Sequence, residues 1–186
     1  MRRSRMMTDK AWDIIEVHDY DPQWPERFKV ERDQIKEALG PVAKDIQHVG
    51  STAVPGLAAK PIIDIVVAVG DLSDADAYFP GLTSLGYSNV PHDEDAWRRF
   101  FFKGMPRTHH VHVVNYGSWT HWKHLLFRDY LQDHPCTLEE YECLKRILAK
   151  RYRDDRAKYL EGKSDFIDSV NARAVKEKAI FFVPGR

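Results

Sequence analysis

The stretch His48–Val69, "HVGSTAVPGLAAKPIIDIVVAV", sets a Gly-Ser-Thr corner ahead of an apolar run that carries a single acid, Asp64. The run "PIIDIVVAV" is rich in β-branched residues and apolar on both faces, the pattern of a central strand covered on both sides. Side chains alternate along a strand, so Ile62, Asp64 and Val66 share one face. A carboxylate there is costly to bury unless it is paired or holds a cation. The corner supplies backbone N–H groups and two hydroxyls, Ser51 and Thr52, and Gly50 lets an anion come close. Lys60 offers a cation at the other end of the loop. Two readings of Asp64 follow: a divalent ion held between it and a nucleotide phosphate, or an ion pair with Arg98, Arg99 or a histidine.

Upstream, "DYDPQWPERFKVERDQIKEALG" opens with turn residues and becomes helical, with Phe28, Ile35, Ala38 and Leu39 near helical spacing and Gly40-Pro41 as the stop. "DIQHVG" reads as a short strand leading into the corner. Downstream, "DLSDADAYFPGLTSLG" reads as a helix capped by Asp71 or Ser73, interrupted near Pro80 and ended by Gly86. "YSNV", "RRFFFKG" and "HHVHVVN" read as strands, the last two joined by "MPRT" into an antiparallel hairpin. From Trp119 the chain turns helical, with a break at Pro135. Residues 1–15 read as a disordered tail, and residues 16–178 as one domain: a mixed sheet to about 117 and a helical region over 118–178.

The strand "HHVHVV" places three imidazoles in four residues. His110 and His112 share a face and His109 points the other way. Asp64, His110 and His112 therefore form a candidate metal site of mixed O and N ligands, which favours Zn, Mn, Fe or Ni over Mg. The same histidines are also read as a general base, as phosphate ligands, or as hydrogen-bonded sheet residues. His48, before the corner, is a candidate for the same pocket, with His109 beside it. In "AWRRFFFKG", Arg98 shares a face with Phe100 and Phe102, and Arg99 shares the other with Phe101 and Lys103. Either face suits a triphosphate; a solvated basic edge is the plainer alternative. Lys163 falls on the apolar stripe of the last helix (Leu160, Ile167, Val170, Ala174), where it either snorkels or reaches into the cleft as a phosphate lysine. Arg128 in "FRDYL" raises the same question, with Asp129 as an alternative partner. Trp119 and Trp122 read as a core seam.

Composition sets bounds on partners. The formal net charge is zero, so no global basic field points to nucleic acid, and any anion must be held by a local cluster. No apolar run approaches the length of a membrane span. "MRRSRMMTDK" has no apolar stretch after it, and Cys136 and Cys143 read as two reduced thiols, so a cytoplasmic protein is expected. The helical third offers surface for an oligomer contact.

Four motifs in order, "YDPQWPERF", "HVGSTAVPGLAAKPIIDI", "RTHHVHVV" and "HLLFRDYLQDHP", resemble the GrpB-like family from about Val17 to about Ala172. That family is assigned to the nucleotidyltransferase superfamily and is sometimes fused to dephospho-CoA kinase. The resemblance implies an α+β fold: a nucleotidyltransferase-like mixed sheet, flanking helices and a C-terminal helical region. It also implies a divalent metal (Mg, Mn or Zn) and a nucleotide or other phosphate-bearing small molecule as ligand. Nucleotidyltransferases of this fold carry Asp-x-Asp or Asp-x-Glu on the acidic strand and a third carboxylate on a neighbour. Here the second position is Val66 and the neighbour offers histidines. Three functions are therefore expected to compete. The first is transfer of a nucleotidyl or phosphoryl group to a small acceptor: Asp64, His110 and His112 are catalytic and metal-holding, and Gly50, Ser51, Thr52, Lys60, Arg98, Arg99, Lys103, Arg128 and Lys163 bind phosphate. The second is a non-catalytic nucleotide- or CoA-like-ligand module. The third is an Asp/His metal-dependent hydrolase.

Overall fold

The computed structural model describes residues 14–90 and 96–178. Most of the stretch read as a disordered tail therefore lies outside the described residues. Ile15, also placed in that tail, is instead docked: it packs with Leu148, Ala149 and Tyr159, and its N–H bonds to the Arg153 carbonyl at 2.9 Å.

Five strands form one mixed sheet in the order β1-β2-β5-β4-β3. They are β1 (Ala43–Val49), β2 (Ile63–Val69), β3 (Ser88–Asn89), β4 (Arg98–Lys103) and β5 (His109–Asn115). β2 lies between β1, antiparallel to it, and β5, parallel to it, while β4 and β5 form the antiparallel hairpin expected from "MPRT". Alternation divides β2 cleanly. Ile63, Ile65 and Val67 bury against Trp24, Ile35 and Leu39 of α1 (Trp24–Leu39), together with Phe101, Val111 and Val113. Val66 and Ala68 bury on the other face with Val49, Val114 and Leu125, the last from α3 (Trp119–Asp133).

The segment read as one capped helix divides into a single 3-10 turn, Ala75–Ala77, and the short α2 (Phe79–Ser84). Pro80 does not interrupt this helix. It occupies the first turn, where a missing N–H costs nothing, and so helps to start it.

Two further helices complete the chain: α4 (Pro135–Arg151) and α5 (Arg156–Lys178). With α3 they build a second core, in which Phe127, Leu131, Tyr141, Val170 and Ala174 close over Val54 and Leu57 of the loop after β1. The helical region is thus sealed onto the loop that carries the Gly-Ser corner, and a cleft is left between them. The seam expected at Trp119 and Trp122 is absent: both are exposed, at 42% and 37%. Cys136 and Cys143, both on α4, are free thiols. No helix among the described residues is long and apolar enough to cross a membrane.

Candidate functional site

The cleft has a volume of about 460 Å³ and reaches from the Gly-Ser corner across the sheet face of Asp64 to α4 and α5. Asp64 is set there by register. It sits level with Val49 on β1 and His110 on β5, and all three side chains lie on the α3 side of the sheet. Gly50 has φ +70°, and a Cβ built on it would fall 2.6 Å from Asp64 Oδ2, so the carboxylate rests directly over the glycine. Ser51 and Tyr141 of α4 both line this cleft, so the corner faces the helical region across it.

Asp64 accepts a hydrogen bond from His110 Nδ1 at 2.9 Å. This is the histidine partner expected in one of the two readings of this acid. Burial works against its charge, but His110, through its hydrogen bond and then its charge, outweighs it, and with smaller contributions from His112 and Lys163 the carboxyl is held below its usual range. His110 is itself buried, and its Nε2 has no hydrogen-bond partner. Next along β5, His112 is pushed well below the usual imidazole range, chiefly by burial and then by His124. It is therefore neutral and accepts from the Arg98 guanidinium at 3.2 Å.

Six basic side chains line the cleft: Lys60, Arg98, Lys123, Lys145, Arg156 and Lys163. Among the described residues two carboxylates line it, Asp64 and Asp168. Burial lowers the Lys163 ammonium to about 8, with Asp64 supporting its charge and Arg156 opposing it. Lys145 is 1% exposed, donates to the Ala58 carbonyl, and is lowered to about 7 by burial and by Lys163. Lys145, Tyr141 and His124 were not singled out in the sequence. The signal was present for Lys145, which follows Tyr141 by four residues and precedes Leu148 by three, all three buried on one stripe of α4.

Several expected contributors do not meet in this cleft. Arg99, Lys103 and His109 alternate onto the opposite face of the sheet, where Lys103 Nζ bonds to Glu31 of α1 at 2.9 Å and His109 Nε2 lies 3.8 Å from the same carboxylate. His48 also faces α1: its ring stacks on Phe28 at 4.7 Å. Its Nε2 lies 3.0 Å from Thr52 Oγ1, and that hydroxyl donates to the Ile62 carbonyl at 3.2 Å. The Thr52 hydroxyl therefore braces the loop and has no proton left for a phosphate. Arg128 is used structurally, bonding the His48 carbonyl at 2.9 Å and Gln47 at 3.2 Å while pairing with Asp129.

The divalent ion implied by the resemblance would need several carboxylate oxygens about it. Among the described residues the cleft offers two carboxylates, Asp64 and Asp168, and Asp64 Oδ1 is already engaged by His110. Val66 fills the second acidic place and is wholly buried beneath Leu125. Asp64 is bonded to His110, and His112 separately to Arg98. No group of three His, Cys, Asp or Glu among the described residues is arranged to hold a metal. This donor set does not fit a two-magnesium centre.

Burial gives a pH prediction. His48 is pushed down to about 4, with burial as the main cause, and His124 likewise. Both folded values lie below the unfolded 6.5, so below that pH the unfolded chain binds protons that the native state refuses. Stability is expected to fall as pH drops from about 6.5 toward 4, by about 1.4 kcal/mol per pH unit for each histidine. Urea midpoints measured from pH 7 to 4.5 check this, and His48→Gln should reduce the slope. A flat profile above pH 5 would mean that these rings are not buried in neutral form.

The chain matches the GrpB protein family over residues 14–173. It is 42% identical over 168 residues to a UPF0157 protein of Pseudomonas aeruginosa, spanning 88% of this chain and 69% of that protein. The crystal structure of the conserved protein GrpB from Enterococcus faecalis superposes with a TM-score of 0.81 at 35% identity, covering 89% of this chain and all of that one. A more distant likeness is to the Cid1 poly(U) polymerase, with a TM-score of 0.53 at 14% identity over 78% of this chain and 49% of that one, a likeness of fold. The motifs, the five-stranded mixed sheet and the matched span agree: the chain belongs to the GrpB family, with a nucleotidyltransferase-like fold.

Proposed function

We propose that the cleft binds the phosphate-bearing end of a nucleotide or CoA-like small molecule, and that the chain works as a ligand-binding module. The observation that carries this reading is the replacement of the acid pair by a core valine: the basic cleft is kept, while Val66 is 0% exposed and packed beneath α3. A carboxylate at that position would lie in hydrocarbon, so the place is given over to packing. Nucleotidyl or phosphoryl transfer is the second reading. It is favoured by Asp64, which remains ionised and whose side chain is 30% exposed.

A thermal-shift titration with ATP, GTP, CTP, UTP and CoA, run beside a pyrophosphate-release assay, separates the two. At ligand about a hundredfold above Kd, wild type is expected to gain roughly 5–10 °C. Ser51→Ala gains less, and no pyrophosphate appears. Steady pyrophosphate release that is lost in Asp64→Asn would overturn the binding-module reading in favour of transfer.

A further inference from the structure

Any anion entering the cleft meets a fixed negative charge. The Asp64 carboxylate lies over Gly50 at the corner and is held ionised. In a site built around divalent metal, that ion stands between carboxylate and phosphate and cancels the repulsion. Here the second carboxylate is missing and the neighbouring strand offers neutral His112 bonded to Arg98. The compensating charge is instead carried by the chain. Among the described residues, the cleft wall carries six basic side chains and two carboxylates. One of the six, Lys163, comes from α5 and lines the same cleft as Asp64, each favouring the charged form of the other. Its ammonium packs 4.3 Å from the centre of the Tyr159 ring, which fixes it on the cleft side of the helix.

We propose that the cleft takes its polyphosphate ligand as the free anion, without a divalent metal, and that the Lys163 ammonium stands between Asp64 and the phosphates where a metal ion would otherwise be needed. The proposal rests on the phosphate-binding reading above and makes it more specific. Chelation by magnesium removes part of the negative charge of a polyphosphate and adds a hydrated ion, for which β2 carries Val66 where a second carboxylate would stand beside Asp64. Metal should therefore weaken binding rather than enable it. Burial makes the basic groups eager for a counter-charge, since a polyanion offsets the repulsion among Lys145, Lys163 and Arg156.

Isothermal titration calorimetry with inorganic tripolyphosphate, and with ATP, in EDTA and then in excess magnesium tests this. Wild type is expected to bind both in EDTA and more weakly in magnesium. Lys163→Gln should lose about tenfold or more in EDTA, the worth of a charged hydrogen bond to phosphate. Lys163→Arg should retain most of the affinity, and the thermal midpoints of both variants check that the fold is intact. Binding that requires magnesium, or unchanged affinity in a folded Lys163→Gln, overturns the metal-free proposal and leaves the phosphate reading standing. No binding of either probe in either condition overturns both.

Discussion

Gly50→Ala is expected to lower the unfolding free energy by about 3–5 kcal/mol and to abolish stabilisation by phosphate ligands. Two costs combine. The backbone at Gly50, with φ 70° and ψ −170°, lies in a region that is almost exclusively glycine's, and holding alanine there costs about 1–3 kcal/mol. The added methyl would also sit 2.6 Å from Asp64 Oδ2, well inside contact distance. Relief requires the carboxylate to swing away, which breaks its 2.9 Å bond to His110, a charged hydrogen bond worth about 1.5–3 kcal/mol. Urea unfolding of Gly50→Ala, Asp64→Ala and the double variant isolates the second cost. With the carboxylate gone the methyl has room, so the double variant should be more stable than the sum of the two losses predicts, by about 1–3 kcal/mol. Additive losses would mean that Asp64 does not lie over the glycine.

The same alternation that makes Gly50 and Asp64 neighbours explains what could be read from the sequence. A period of two assigns Asp64, His110 and His112 to one face and His109 to the other, and the β2–β5 register then brings Asp64 level with His110. The departure at Val66 was equally legible, because it depends on spacing alone. Alternation sorts residues between faces, but it does not say which face the helices leave open. That choice is made by α1, whose Trp24, Ile35 and Leu39 cover the Ile63 face and carry Arg99, Lys103 and His109 away from the cleft. Asp129 was legible as a partner of Arg128, but the further contacts of Arg128 and the place of His48 were not, for a related reason. Each is committed to partners far along the chain or across the corner, Phe28 for one and the His48 carbonyl for the other. Lys145 differs, since its place on a buried helical stripe was as visible as that of Lys163.

Lys103→Met should destabilise the protein by about 3 kcal/mol or more and leave ligand binding unchanged. Glu31 is only 5% exposed, and Lys103 Nζ bonds both of its carboxylate oxygens, at 2.9 and 3.1 Å. Removing one member of such a pair strands a buried charge, a loss of about 3–5 kcal/mol. His109 supplies a partial remedy. Its imidazole lies 3.8 Å from Glu31, and its proton affinity is lowered by burial, with the Lys103 charge contributing. In the variant that opposition is gone, so His109 can take up a proton and pair with Glu31 as pH falls. The loss should therefore be largest near pH 8 and shrink toward pH 6, and Glu31→Gln should recover much of it by removing the stranded charge. Equal destabilisation at both pH values would exclude this role for His109. The ligand measurement is the sharper one, because it depends on the face of the sheet rather than on the strength of any contact. Lys103 and the cleft are separated by the full thickness of β4 and β5. At a temperature where Lys103→Met is folded, a weakened thermal shift with ATP would mean that the basic residues of this face reach the ligand after all.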